Sequence, residues 1–240
     1  VSVVVPASSN KLLVALQGSL ALLDFDQATT TKLVQLEPDK TDNRCNDGKC
    51  DVKGRFWIGT MHISAKHNEG ALYRYYNDTI EKMIANTSVS NGLGWSPDNR
   101  TMYYIDSFDH NIKAFDFDET WGTIKNERII DKITQPGCVP DGMCVDAEGM
   151  IWVAIWGGGA VHRYDPVTGR QTGLVKVAAP NVSNCAFGGR HMNQLFITTA
   201  RSGLNREQLK QYPLSGGLFI ADVTTKGLQP YCYNDLNHHS

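Results

Sequence analysis

Short runs of alternating apolar and polar residues recur along the chain at intervals of about 45 residues. Each copy opens with a window containing Asn or Asp, passes through a turn rich in Gly, Asp or Asn, and reaches a strand with aromatic or branched residues. The windows and their strands are Asn46-Asp47-Gly48 with Phe56-Trp57-Ile58, Asn91-Gly92 with Tyr103-Tyr104-Ile105, Asp141-Gly142 with Ile151-Trp152-Val153, and Asn184-Cys185 with Leu195-Phe196-Ile197. Such alternation between turn residues predicts half-buried antiparallel strands.

Each copy continues with two further strands, the last of them more polar. Residues 1–37 follow the same scheme without an Asx window. The chain is therefore predicted to be all-β, with five four-stranded units at residues 1–37, 43–86, 91–131, 141–179 and 183–233. Radial packing of such units gives a single β-propeller domain over residues 1–240. A β-sandwich is the competing all-β fold, but it does not explain four strands recurring in register. One helical turn is predicted at Arg206 to Gln211.

In a propeller the equivalent positions of successive blades converge at the entrance of the channel. Asn91, Asp141 and one of Asn46 or Asp47 are therefore predicted to form a ring of oxygen-bearing side chains, with Asn184 as a fourth candidate. Neighbouring side chains of a strand alternate in direction, so only one of Asn46 and Asp47 faces the axis, and the spacing leaves both open. The alternative is that Asx-Gly steps mark turns, where both residue types tolerate positive φ. Three occurrences at one repeat position count against it.

The candidate ring suits a hard divalent cation. Carboxylate and amide oxygens in small number are typical ligands of Ca²⁺, Mg²⁺ or Mn²⁺, and they leave positions for water and substrate. Arg44 lies two residues before Asn46, where its guanidinium could hydrogen-bond substrate hydroxyls or a carboxylate. A surface salt bridge is the alternative role for Arg44.

The amino-acid composition argues against two classes of binding partner, nucleic acids and membranes. The formal net charge of the 240 residues is -2, with no Lys/Arg cluster interleaved with aromatics, which argues against nucleic-acid binding. No apolar run reaches membrane-spanning length, so no membrane partner is expected. The six cysteines include no CxxC pair, which predicts buried free thiols in a reducing, cytoplasmic compartment. A redox-sensitive rim of the site is the alternative. The chain opens on a strand without an initiator Met, so a preceding segment is expected, with a processed mature start as the alternative.

Several long motifs resemble one known family along essentially the whole chain. They are Asn43-Arg44-Cys45-Asn46-Asp47-Gly48-Lys49, Ser90-Asn91-Gly92-Leu93-Gly94-Trp95-Ser96, Tyr103-Tyr104-Ile105-Asp106-Ser107, Pro140-Asp141-Gly142-Met143-Cys144-Val145-Asp146, Asp165-Pro166-Val167-Thr168-Gly169 and Ala186-Phe187-Gly188-Gly189. The chain is similar to the regucalcin, senescence-marker, gluconolactonase and luciferin-regenerating family. The Met143-Cys144 step resembles the regucalcin branch more than the luciferin-regenerating branch.

The resemblance implies a six-bladed β-propeller that hydrolyses sugar lactones with one divalent cation (Ca, Mn, Zn or Mg) in its central channel. It implies that Asn91 and Asp141 are metal ligands, that Asp141 is also the catalytic acid or base, and that Arg44 and Asn46 bind substrate. It thereby favours Asn46 over Asp47, and it offers no counterpart for Asn184.

Two features of the family have no match in this chain. The remaining metal ligand of the family is a Glu in a Gly-Glu-x-Pro segment that the sequence lacks, so about one blade is expected to be missing. A lid-loop Glu of the mammalian proteins falls near Ser64, in a shorter loop between Met61 and Gly70. Substrate preference is therefore expected to differ.

Three functions follow as hypotheses. The first is a metal-dependent lactone hydrolase acting on a small-molecule lactone. The second is a calcium-binding regulatory protein of the regucalcin type without significant catalysis. The third is a scaffold propeller for protein partners, although the chain lacks the Gly-His and Trp-Asp signature of one such class.

Overall fold

The structure, a computed structural model, describes residues 1–7 and 10–234. Within these ranges the chain is all-β apart from one short α-helix and one 3-10 turn. Its strands form five antiparallel sheets, and in each sheet every strand pairs with its neighbour in chain order. Such meanders are the blades of a β-propeller, so the prediction of five propeller blades is confirmed. A sixth blade, which the family resemblance implies, is not shown among the described residues.

The strands are numbered in chain order. Blade 1 contains β1 (Val3–Pro6), β2 (Lys11–Leu16), β3 (Ser19–Asp24) and β4 (Thr29–Gln35). Blade 2 contains β5 (Asn43–Cys50), β6 (Phe56–His62), β7 (Gly70–Tyr76) and β8 (Thr79–Thr87). Blade 3 contains β9 (Ser90–Trp95), β10 (Thr101–Asp106), the 3-10 turn Ser107–Asp109, β11 (Asn111–Asp118) and β12 (Thr123–Lys132). Blade 4 contains β13 (Val139–Val145), β14 (Ile151–Trp156), β15 (Ala160–Tyr164) and β16 (Gln171–Lys176). Blade 5 contains β17 (Val182–Gly188), β18 (Gln194–Thr199), the helix α1 (Arg206–Gln211) and β19 (Leu218–Asp222).

Blade 5 corrects the prediction of four strands in every unit. Among the described residues its sheet has three strands, β17, β18 and β19. The segment after β19 pairs elsewhere: Gly227 forms a bridge with Asp146, and the Ala147 N–H donates to the Lys226 carbonyl at 2.7 Å. Lys226 and Gly227 thus pair with the turn after β13, and they do not form a fourth strand beside β19. The helical turn predicted at Arg206 to Gln211 is confirmed as α1, which has an Asn205 capping box.

Burial distinguishes early strands of blades 2 and 3 from the last strand of blade 3. In blades 2 and 3, β6 and β9 are buried along their whole length. By contrast, β12 exposes most of its residues, as the polar pattern of the fourth strands predicted. Strands buried on both faces tolerate near-continuous apolar and small residues, whereas an outer strand needs polar side chains. The Asx windows lie on the first strands of blades 2 to 5, of which β9 is buried throughout and β5, β13 and β17 are buried in part.

The chain divides into two compact units. Among the described residues, the first comprises 1–91, 117–125 and 230–234, and the second comprises 92–116 and 126–229. The core of the first unit is built around Leu13, Leu20, Phe56, Ile58 and Tyr75. The second unit has two cores, one containing Ile105, Ile112, Ile151, Val153 and Ile155, and another containing Trp152, Val161, Val182, Leu195 and Ile197. In the described part of the chain, no helix is long and apolar enough to cross a membrane.

The Asx-Gly steps are not turns. Gly48, Gly92 and Gly142 lie inside β5, β9 and β13, and none of the three has positive φ. Another part of the chain lies so close to each of these positions that only glycine fits. A Cβ would lie 2.7 Å from the Trp57 carbonyl oxygen at Gly48 and 2.7 Å from the Asp141 carbonyl oxygen at Gly92. The turn interpretation of these steps is therefore wrong.

Candidate functional site

Arg44 and Asn46 form one end of a short hydrogen-bonded series in the first unit. Arg44 Nη1 donates to the Asn46 side-chain oxygen at 2.8 Å and to the Cys45 carbonyl at 3.0 Å. The Asn46 amide donates in turn to the Ser90 carbonyl at 2.9 Å. Both side chains are half-buried on β5, where the pairing with β6 shifts register between Cys45 and Gly48. A bulge of this kind re-aims side chains, and here it keeps Arg44 and Asn46 together.

Asp47 is oriented differently from Asn46. Its Oδ1 accepts the N–H of the next residue, Gly48, at 2.8 Å. Burial raises the pKa of the Asp47 carboxyl, while Lys49 and the Gly48 N–H act in the opposite direction. The Asp47 carboxylate therefore bonds the adjacent backbone of its own strand. The Asn46 amide instead bonds the Ser90 carbonyl on β9, the first strand of blade 3.

Asn91 lies on β9 with only 5% of its surface exposed. Its two chain neighbours contact different elements. Before it, the Ser90 carbonyl accepts the Asn46 amide. After it, Gly92 packs so closely on the Asp141 carbonyl that no side chain fits there. Asn91 is therefore a buried polar residue between two points of close contact on the strand.

Asp141 lies on β13 in the second unit and is half-buried. The β13–β14 pairing shifts register between Pro140 and Met143, so Asp141 is at a bulge, as Asn46 is on β5. The buried hydroxyl of Ser107 donates to the Pro140 carbonyl at 2.7 Å and holds the strand just before Asp141. Asn46 and Asp141 thus lie at register shifts in the first strands of their blades.

Asn184 has a packing role in the second unit. Its Oδ1 accepts the Cys185 N–H at 2.8 Å. The side chain lies against Gly142, where a Cβ would be 2.2 Å from Asn184 Cγ. Asn184 thus fills the space that the missing Gly142 side chain leaves.

The donor chemistry of the candidate set consists of oxygen atoms: the amides of Asn46 and Asn91 and the carboxylate of Asp141. Hard divalent cations prefer such ligands. Residues 1–7 and 10–234 contain no group of three His, Cys, Asp or Glu side chains placed to hold a metal ion. Asn91 and Asp141, which the resemblance implies as ligands, each supply an oxygen donor of the kind that a hard divalent cation takes.

Comparison with known proteins places the chain in a family. The family profile described as SMP-30/Gluconolactonase/LRE-like region matches residues 1–201. The chain belongs to this family.

Relatives within the SMP-30/gluconolactonase/LRE-like family include human regucalcin, which is 39% identical over 218 residues, or 88% of this chain and 73% of the relative. Among solved structures, a calcium-binding protein, regucalcin, from Agrobacterium tumefaciens superposes with a TM-score of 0.91 at 31% identity, over 96% of this chain and 78% of the other. A luciferin-regenerating enzyme gives a TM-score of 0.90 at 29% identity, over 97% and 81% of the two chains. The resemblance identified from the motifs is confirmed.

In this SMP-30/gluconolactonase/LRE-like chain, Glu37 bonds the first residue of β5, which precedes Arg44, and the sequence analysis did not single it out. Glu37 Oε2 accepts the Asn43 amide at 2.8 Å, and Oε1 accepts the hydroxyls of Tyr73 at 2.9 Å and Thr60 at 3.1 Å. Burial and the Glu37 carboxylate raise the pKa of Tyr73. Asn43 also donates to the Glu69 carbonyl at 2.7 Å, which fixes the end of the loop between β6 and β7. No local signal marks Glu37, because its partners lie 6 to 36 residues away.

The predicted thiol states are confirmed in part. All six cysteines lie in the described part of the chain, none of them forms a disulfide, and five are buried. Cys232 is exposed, contrary to the expectation of burial, because it lies in the segment after β19 that has left the sheet. The cytoplasmic location stays a prediction.

Proposed function

We propose that this chain is a divalent-metal-dependent hydrolase of sugar lactones, of the gluconolactonase type. The observation that carries the proposal is the family match over residues 1–201, which includes every candidate site residue. A bound divalent cation would polarise the lactone carbonyl and stabilise the oxyanion of the transition state. Asn91 and Asp141 are the proposed ligands.

Side chains of the protein supply the general base and the substrate contacts. Asp141 orients the attacking water and accepts its proton, which is the role of a general base. Arg44 and Asn46 bind the hydroxyl groups of the sugar lactone. Their mutual hydrogen bond at 2.8 Å supports this role, because it fixes the guanidinium before substrate arrives.

A calcium-binding regulatory function without significant catalysis is the second candidate. The observation that favours it is the similarity to regucalcins, one of which is described as a calcium-binding protein. A site with one carboxylate and amide donors predicts weaker Ca²⁺ affinity than an EF-hand sensor. The two functions differ in whether turnover accompanies metal binding.

Metal removal is the test of the proposed function. Chelator-treated protein is expected to lose hydrolysis of glucono-δ-lactone, measured by acid release in a pH-stat. Addition of Mn²⁺, Zn²⁺, Ca²⁺ or Mg²⁺ in turn is expected to restore it with at least one ion. Hydrolysis that persists after chelation contradicts the proposal. Calorimetric Ca²⁺ binding without turnover under any ion supports the regulatory function instead.

Arg44→Lys is expected to raise KM for the lactone about tenfold while kcat changes less than about threefold. Lysine keeps the charge but loses the planar fork and the bond from Nη1 to Asn46, so ground-state binding weakens. Michaelis kinetics with glucono-δ-lactone measure the effect. Arg100→Lys, at the exposed turn before β10, is the matched control and should leave both constants unchanged. A fall in kcat with an unchanged KM is the result that would contradict a binding role.

A further inference from the structure

Two buried thiols lie next to each other in the second unit. Cys144 on β13 and Cys185 on β17 have their Sγ atoms 3.7 Å apart. Cys185 donates its S–H hydrogen to the Trp152 carbonyl at 3.4 Å, so its sulfur is able to accept the S–H of Cys144. The exposed fraction is 8% for Cys144 and 3% for Cys185. The pair is therefore in contact, and Cys144 is the member nearer to solvent.

The backbones around the two thiols are also close. Gly142 packs on the side chain of Asn184, which immediately precedes Cys185. A disulfide requires a sulfur–sulfur distance of about 2.05 Å and Cα atoms within about 7 Å of each other. The two sulfurs therefore need to approach each other by roughly 1.7 Å to form the bond.

We propose that Cys144 and Cys185 are a peroxide-sensitive pair that forms a reversible disulfide between blade 4 and blade 5. The Cys144 thiolate attacks one oxygen of hydrogen peroxide; the sulfur–oxygen bond forms, the oxygen–oxygen bond breaks, and hydroxide leaves to become water with the thiol proton. The Cys185 sulfur then attacks the sulfenic sulfur of Cys144, and the sulfur–oxygen bond breaks with release of a second water. Two thiols are oxidised and one peroxide is reduced to two waters.

The other buried thiols are poorer candidates for this reaction. Burial raises the pKa of Cys45 to about 12, and it also raises the pKa values of Cys50 and Cys138. Since the thiolate is the nucleophile, these groups react slowly with peroxide. Cys232 is exposed and affects Cys50 electrostatically, so it offers a competing route that the experiment has to remove.

The test uses the full chain carrying Cys232→Ser, treated with hydrogen peroxide, alkylated after unfolding and mapped by mass spectrometry. The expected product is a Cys144–Cys185 cross-linked peptide. The intact mass is expected to fall by two hydrogen atoms, and dithiothreitol is expected to restore both thiols. The oxidised protein is expected to melt at least about 5 °C higher, because the bond closes a loop of more than 40 residues. The proposal is overturned if Cys144 and Cys185 are both alkylated after oxidation, or if Cys144 becomes a sulfinic acid without a cross-link.

Single substitutions assign the two roles. In Cys185→Ser, Cys144 is expected to stop at the sulfenic acid and to be labelled by dimedone. In Cys144→Ser, Cys185 is expected to remain a thiol. Cys138→Ser, in the same unit, is the control that should still form the cross-link. If either variant of the pair fails to fold, the peptide map of the Cys232→Ser protein decides alone. Dimedone labelling of Cys185 in Cys144→Ser contradicts the assignment of Cys144 as the attacking thiol.

Discussion

Asp141→Asn is expected to lower kcat/KM for lactone hydrolysis at least about 100-fold and to remove most of the affinity for divalent cations. Asparagine has nearly the same shape as aspartate but cannot accept the proton of the attacking water, and it lacks the negative charge that attracts a cation. The bulge at Pro140 and Met143 should stay in place, because the Ser107 hydroxyl holds the strand through the Pro140 carbonyl. Steady-state kinetics of lactone hydrolysis and calorimetric Mn²⁺ binding measure the two losses.

The matched control for Asp141→Asn is Asp47→Asn. Asp47 is half-buried on the equivalent strand of blade 2, but its carboxylate bonds the Gly48 N–H. An amide oxygen accepts the same hydrogen bond, and removal of a charge whose pKa is raised by burial relieves desolvation. Activity within about threefold of the wild type is therefore expected. If Asp141→Asn keeps turnover within about tenfold of the wild type while Asp47→Asn loses it, the two carboxylates have been assigned the wrong roles.

The order of strands could be read from the sequence because each blade is local. Hairpins join consecutive strands, and the period of the Asx windows placed Asn46, Asn91, Asp141 and Asn184 on the first strands of four blades. The helical turn at 206–211 was also predictable, since Asn205 and Gln208 form a capping box. These features depend on residues within a few positions of each other.

Features that depend on distant contacts were not predictable. Gly48, Gly92 and Gly142 resemble turn glycines in sequence, but they are strand residues onto which another part of the fold packs closely. The segment at Lys226 and Gly227 lies within the predicted fifth unit, and nothing local indicates that it pairs with the turn of blade 4. Both outcomes are set by tertiary packing, which local pattern does not encode.

Two of the predicted turns between strands also contain a buried aspartate with several hydrogen-bond donors. Asp51 and Asp146 each open one of these turns and are fully buried. Each carboxylate accepts two backbone N–H groups of its turn and the indole N–H of a tryptophan six residues later, Trp57 or Trp152, at 2.9 Å. An arginine completes each arrangement. The spacing Asp-x-x-Gly-x-x-Trp is thus the sequence signature of a buried charge network in blades 2 and 4.

Asp51→Ala is expected to lower the free energy of unfolding of the first unit by about 3–5 kcal/mol. Asp51 Oδ2 accepts Arg55 Nε at 2.6 Å, and both side chains are buried. Removal of the carboxylate takes the Asp51 acceptor from the Arg55 Nε–H and the Trp57 indole N–H and leaves the buried guanidinium without its counter-charge. This is more costly than the loss of the bonds alone. Urea denaturation followed by tryptophan fluorescence measures the change.

Asp118→Ala is the matched control for Asp51→Ala, because Asp118 lies in the same unit and accepts the N–H groups of Thr120 and Trp121 in a similar turn while remaining exposed. Its loss is expected to cost less than about 1 kcal/mol, since water replaces the carboxylate. The difference between the two variants isolates burial as the cause, because the turn chemistry is the same. Equal losses in both variants would show that the turn bonds, and not the buried Arg55 and Trp57 partners, stabilise the blade. If the interpretation is correct, Asp146→Ala gives a similar loss in the second unit, where Arg163 Nε donates to Asp146 at 2.9 Å.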